Sequence, residues 1–114
     1  MMHELWLCRS ILEIIEQNAR AKKCTRVRKV VLEIGELIAV EKNSLIFSFN
    51  VITTGTIAEN ATLQIIEVPG EAQCGSCQKK VPLRHYYDEC QRCGSRLLKV
   101  TQGEELRVKS MEVE

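Results

Sequence analysis

A chain of 114 residues is long enough for one domain, or for a small domain with a satellite held by something other than apolar burial. Its 16 basic and 15 acidic side chains leave a net charge of +1, which argues against a dedicated nucleic-acid binder, since such a protein needs a basic face to displace counterions from phosphates. The aromatic residues are Trp6, Phe47, Phe49, Tyr86 and Tyr87, a poor supply for base stacking, and no apolar run is long enough to span a bilayer.

The start of the chain, Met1 to Cys8, lacks a basic segment followed by an apolar core and a small-residue cleavage site. The expected compartment is therefore the cytoplasm, where thiols stay reduced. Six cysteines in that setting are expected as metal ligands or buried thiols rather than disulfides.

Residues 4–22 carry apolar side chains at Leu5, Cys8, Leu12, Ile15 and Ala19, with Ile11 and Ile14 widening the stripe. That spacing predicts a helix, with Cys8 as a buried thiol on its apolar face. Arg20, Lys22 and Lys23 end it, where cations complement the helix dipole. Val27 to Ile34 is rich in β-branched residues and predicts a strand ending at Gly35, with Val30, Leu32 and Ile34 on one face. Residues 43–53 fit both periods, and a helix capped by Ser44 is the preferred reading. Thr62 to Val68 predicts another strand, closed by Pro69-Gly70.

The character of the chain changes at Pro69-Gly70. From Gln73 to Gly94 there are few apolar residues and four cysteines, so the segment is expected to need a metal in place of a core. The tail from Glu104 to Val113 reads as extended. Its apolar parity shifts between Leu106/Val108 and Met111/Val113, which calls for a bulge near Ser110.

Cys74-Gly-Ser-Cys77 and Cys90-Gln-Arg-Cys93-Gly94 are two Cys-x-x-Cys knuckles separated by twelve residues. Zinc takes four ligands in a tetrahedron and thiolates suit it, and two residues between cysteines let one tight turn aim both sulfurs at one ion. Gly75 and Gly94 are expected to relieve the turns. A closed four-thiolate site leaves no position for water, so the predicted zinc is structural, with an iron–sulfur cluster as the rival for the same ligands. Four thiolates on Zn²⁺ carry a formal charge of about −2, which Lys79, Lys80, Arg92 or Arg96 can offset. In zinc-finger peptides such binding supplies about 10–16 kcal/mol of folding free energy. Cys24 has no visible partner, and His85, within the spacer, is expected as an exposed loop residue.

His3 stands where a free α-amine, backbone nitrogens and an imidazole can wrap one ion in a plane, an arrangement suited to Ni(II) or Cu(II). Met2-His3-Glu4-Leu5, Leu32-Glu33-Ile34-Gly35, the paired knuckles and the ending Val108-Lys109-Ser110-Met111-Glu112-Val113-Glu114 together resemble the HypA/HybF family of nickel metallochaperones for [NiFe]-hydrogenase maturation. The resemblance spans essentially the whole chain. It implies an α+β fold: two helices on a small, mostly antiparallel sheet, with a zinc-ribbon module of two Cys-x-x-Cys knuckles inserted before the last strand. The implied nickel domain covers 1–70 plus 100–114, and the implied zinc domain 71–99. The resemblance also assigns Met2, His3 and Glu4 to nickel, beside Cys74, Cys77, Cys90 and Cys93 for zinc. It makes Ni(II) a transported ion, and the HypB-type nickel GTPase and the [NiFe]-hydrogenase large subunit the partners. Met1 precedes the family's Met-His-Glu start. If Met1 is retained, the chelate has histidine third; if translation begins at Met2, the family arrangement is restored. His3 is a ligand in both.

Nothing in the sequence resembles an enzyme: there is no nucleophile–base pair and no Gly-rich phosphate loop. The alternative reading is a zinc-ribbon module for protein or RNA interaction. Its patch would comprise Lys79, Lys80, Arg84, Tyr86, Tyr87 and Arg92.

Overall fold

The computed structural model describes residues 2–114, with side chains from Glu4 onward. The elements in chain order are α1 (Met2–Ala21), β1 (Val27–Gly35), a 3-10 turn (Glu36–Ile38), α2 (Lys42–Ile52), β2 (Thr62–Val68), β3 (Glu71–Cys74), β4 (Lys80–Pro82), β5 (Leu98–Gln102) and β6 (Leu106–Val113). Two helices and two three-stranded sheets make an α+β protein. The sheet orders are β2-β1-β6 and β4-β3-β5.

The chain forms two compact units. The first comprises residues 1–32, 40–66 and 107–114. It is built on apolar burial: Ile11 and Ile15 of α1, Val27, Val30 and Leu32 of β1, and Leu45 and Phe49 of α2 are all fully buried. The helical stripe read from α1 is the face that packs, and Cys8 on it is fully buried, its thiol donating to the Leu45 carbonyl at 3.5 Å. Residues 42–52 are helical, so of the two periods in this stretch the helical one prevails. Its cap differs from the expected Ser44. Glu41 is the N-cap, in extended conformation, and its carboxylate accepts from the Ser44 N–H at 2.6 Å. Ser44 is the capped residue because the helix starts at Lys42, which places the Ser44 N–H among the unpaired donors of the first turn.

Strands β1 and β6 run antiparallel, as two cross-strand bonds show: Glu114 N–H donates to Arg26 O at 2.9 Å and Gly35 N–H to Glu105 O at 2.7 Å. The end of β6 is also tied by an ion pair between Arg28 and the Glu114 carboxylate. Along β6 the burial phase changes at Lys109 and Ser110, two neighbours that are both exposed, where the sequence parity also shifts.

The second unit comprises residues 33–39 and 67–106. Its sheet is antiparallel, with Ala72 facing Val81 on β4 and Val100 on β5. Contrary to the expectation of a segment without a core, it has a small one. Leu37, Ala72 and Leu83 are buried together with Leu98 and Val100 packed against them, and Cys74, Val81 and Cys90 form a neighbouring cluster. The residue that makes the difference is Leu37, which comes from far earlier in the chain.

Candidate metal centres

The two knuckles are built alike. In the first, the Cys74 carbonyl accepts from Gln78 N–H at 3.0 Å; in the second, the Cys90 carbonyl accepts from Gly94 N–H at 2.8 Å. Both turns need a left-handed residue four positions after their first cysteine. Gly94 fills it at φ +76°, and Gln78 fills it at φ +64°. The expected role of Gly75 is thereby corrected: the turn strain falls on Gln78, whose amide steadies the turn by donating to the Gly75 carbonyl at 3.1 Å. Gly75 instead sits close to β5, its N–H donating to Leu97 O at 2.7 Å. A bond of 2.8 Å between the Ser76 and Ser95 hydroxyls ties one knuckle to the other.

These turns bring the side chains of Cys74, Cys77, Cys90 and Cys93 together, with all four sulfurs within 4.8 Å of one another. The Cys74–Cys93 and Cys77–Cys90 sulfurs are 3.7 and 3.8 Å apart. Zinc–sulfur bonds of about 2.3 Å in a tetrahedron put sulfurs about 3.8 Å apart. The donor set therefore fits zinc in number, chemistry and spacing. Cys74 and Cys90 are buried, Cys77 half-buried and Cys93 exposed.

The knuckles also favour the anionic form of two of the sulfurs, those of Cys74 and Cys90. The Cys77 and Ser76 N–H groups point at the Cys74 sulfur and lower its pKa to about 6. For Cys90, burial pushes upward, but the Arg92 and Cys93 N–H groups together with the Cys93 and Cys77 sulfurs outweigh it and the net shift is down. At Cys93 the Ser95 N–H lowers the pKa, yet burial and the three neighbouring sulfurs outweigh it, and the thiol rises to about 11. A divalent cation binds such sulfurs as thiolates, in place of their protons.

His85 stands apart from the sulfurs. It is exposed, its Nδ1 lies 3.5 Å from Asp88 Oδ1, and its ring stacks on Tyr87 at a centroid distance of 5.0 Å. The Asp88 carboxyl lies below its usual range because the His85 and Arg84 N–H groups donate to it. Two members of the suggested RNA patch are similarly engaged: the Tyr86 hydroxyl donates to Glu104 at 2.6 Å, and Arg84 lies 4.0 Å from Glu36.

At the other candidate centre, the side chains of Met2 and His3 lie outside the described residues. Glu4 is half-buried on the first turn of α1. Burial, and after it the Glu4 charge, pushes the Cys8 thiol up to about 11, which leaves it a neutral core group. Sequence reasoning gave no role to Glu41. The Ser44 N–H holds its carboxyl below the usual range, against burial and a smaller upward push from the Glu4 charge, so two carboxylates are within electrostatic range at the start of the helices. Only the fold joins them, since 37 positions separate them.

The family model described as hydrogenase/urease nickel incorporation, metallochaperone, hypA matches residues 2–113. The chain belongs to the HypA family. A hydrogenase maturation factor HypA from Legionella pneumophila (strain Lens) is 63% identical over 113 residues, covering 99% of this chain and 100% of the relative. The HypA factor of Azotobacter vinelandii is 50% identical over the same length and with the same coverage. Among solved structures, the Ni metallochaperone HypA from Helicobacter pylori is 26% identical with a TM-score of 0.70, covering 96% of each chain. Another HypA solution structure is 27% identical with a TM-score of 0.70, covering 100% of this chain and 98% of its own. The family membership makes this a nickel metallochaperone of hydrogenase maturation, and none of the comparisons supports the RNA-module alternative.

Proposed function

We propose that the protein binds Ni(II) at its N-terminus through His3, with Met2 and Glu4, and passes it to the [NiFe]-hydrogenase large subunit in concert with a HypB-type GTPase. The match of the nickel-incorporation family across residues 2–113 carries this reading. Amine, backbone amides and imidazole provide a planar set of nitrogen donors suited to Ni(II). Cys74, Cys77, Cys90 and Cys93 hold a structural zinc, and the closeness of their sulfurs supports that assignment.

The protein itself is a carrier, not an enzyme: nucleotide hydrolysis belongs to the partner. No helix among the described residues is long and apolar enough to cross a membrane. The cytoplasm is the proposed site of action. Calorimetric titration of the zinc-loaded protein tests the nickel site. His3→Ala is expected to abolish specific Ni(II) binding with zinc retained, and acetylation of the α-amine to do similar damage. A His3→Ala protein that binds one Ni(II) as tightly as the parent moves the site elsewhere. Affinity should weaken in acid, because imidazole and amine must both be unprotonated to bind.

A further inference from the structure

Three passages of the second unit cross where no side chain fits. A Cβ on Gly35 would lie 2.0 Å from the Gly103 carbonyl oxygen, one on Gly70 would lie 1.8 Å from the Leu83 carbonyl oxygen, and one on Gly103 would lie 2.5 Å from the Gly70 Cα. Backbone bonds use this closeness. Gly35 N–H donates to Glu105 O at 2.7 Å, Leu37 N–H to Gly103 O at 2.9 Å, and Leu83 N–H to Gly70 O at 2.9 Å. Side chains add to it: the Glu36 carboxylate accepts from Gly70 N–H at 2.9 Å, and the Gln102 amide donates to Pro69 O at 2.9 Å. Residues 33–39, which lead from β1 towards Glu41 and α2, are thus bonded to both other passages.

The packing then leads from this crossing to the four sulfurs. Leu37 is buried with Ala72 and Leu83, against Leu98 and Val100. Leu98 packs also against the cluster of Cys74, Val81 and Cys90. One side chain therefore belongs to both the Leu37 core and the core that contains two of the proposed zinc ligands. That core is too small to persist alone, and a site whose ligands converge only in the folded state contributes its binding free energy to folding.

We propose that the glycine crossing makes residues 33–39 part of the zinc-dependent fold, so that zinc occupancy fastens the connection between β1 and α2 and zinc loss releases it. This rests on the four-cysteine zinc reading, and metal analysis of each sample reads that assignment separately. The path is packing through Leu98 and Leu37, then backbone bonding through Gly70 and Gly103. In the zinc-free state the same residues lose the partners of the Gly35 and Leu37 amides.

Amide hydrogen exchange on the full chain, zinc-loaded and zinc-stripped, tests it. Stripping should speed exchange at Gly35, Leu37 and Leu83 by at least about 100-fold, while amides of Val30 and Leu32 stay protected. Two variants keep all four cysteines. Leu98→Ala should hold one zinc and lose part of the protection at Leu37. Gly70→Ala should hold one zinc and release residues 33–39, because a Cβ 1.8 Å from the Leu83 carbonyl oxygen and 3.3 Å from Leu37 Cγ forces Gly70 away from its bond to the Glu36 carboxylate. Unchanged protection at Gly35 and Leu37 after zinc removal overturns the proposal, as does full protection there in a zinc-loaded Gly70→Ala protein.

Discussion

The first unit buries Phe49, Ile11, Ile15, Leu32 and Leu45 completely, whereas the largest fully buried side chains of the second are Leu83, Val81 and Cys74. Two helices explain much of the contrast. Their apolar faces supply side chains every three or four residues, while the short strands of the second unit supply one in two over only three to five residues. The first unit thus folds on hydrophobic burial, whereas the second has a smaller core and four sulfurs close enough to share one ion. A small domain substitutes directional metal bonds for the area it cannot bury.

Removing a ligand should break this contrast most severely. Cys74→Ser and Cys90→Ser are each expected to lose zinc and to unfold most of residues 67–106, with the first unit still folded; metal analysis and a residue-resolved amide spectrum would show both. Unchanged zinc stoichiometry in both proteins removes the four-thiolate assignment. The mirror experiment is Phe49→Ala, which should cost about 3–5 kcal/mol in the first unit and leave one zinc bound. Thermal unfolding with parallel metal analysis reads it, and loss of zinc would mean that the units are not separately stabilised.

Acid should act on the second unit first. Protons compete with the ion for sulfur, so zinc affinity falls as pH falls. Cys74, whose pKa the Cys77 and Ser76 N–H groups hold down to about 6 against an ordinary 9.0, keeps its charge well below the range where an ordinary thiol protonates. A depressed pKa stabilises the folded state above the unfolded value, and that contribution is lost as pH falls towards the folded one. Zinc release to a colorimetric chelator should therefore precede loss of α-helical signal on acidification. The smallest effects belong to the knuckle turns. Gly94→Ala places a Cβ in a left-handed turn at a cost of about 1 kcal/mol, and Gln78→Gly should move stability the other way or leave it unchanged. Zinc-loaded unfolding midpoints distinguish them; equal losses from both would mean that the turns are not equivalent.

The elements that were legible in the sequence are those with a strong local signal. The α1 stripe, the β-branched run of β1 and the spacing of the four cysteines each state their geometry within a few residues. What escaped depends on pairs that are distant in sequence or on roles an unusual residue fills. Leu37 reads as part of a loop, and only the fold shows it packing on Ala72 and Leu83. Glu41 is an uncommon cap, and Ser44 three residues on is the more usual one in the wrong place. Gly75 drew attention as a turn residue, whereas Gln78 takes the left-handed position that its side-chain bond to Gly75 O makes tolerable. Gly35, Gly70 and Gly103 carry no mark of one another in the sequence, because close approach of backbones is a property of three dimensions.

The pairing of β6 with β1 also has a consequence for synthesis. Thr25 N–H donates to the Glu114 carbonyl at 3.2 Å, a bond spanning 89 positions. The β2-β1-β6 sheet therefore lacks one edge until the whole cysteine-bearing segment has been made, and β1 waits with that side unpaired. An open strand edge is a template for the wrong neighbour, so prompt closure matters during folding. Bringing residues so distant together costs loop entropy that a folded, metal-clamped segment between them would reduce. With the four cysteines holding zinc as proposed, zinc supply during translation would bear on how long that edge stays open, long before nickel enters the account.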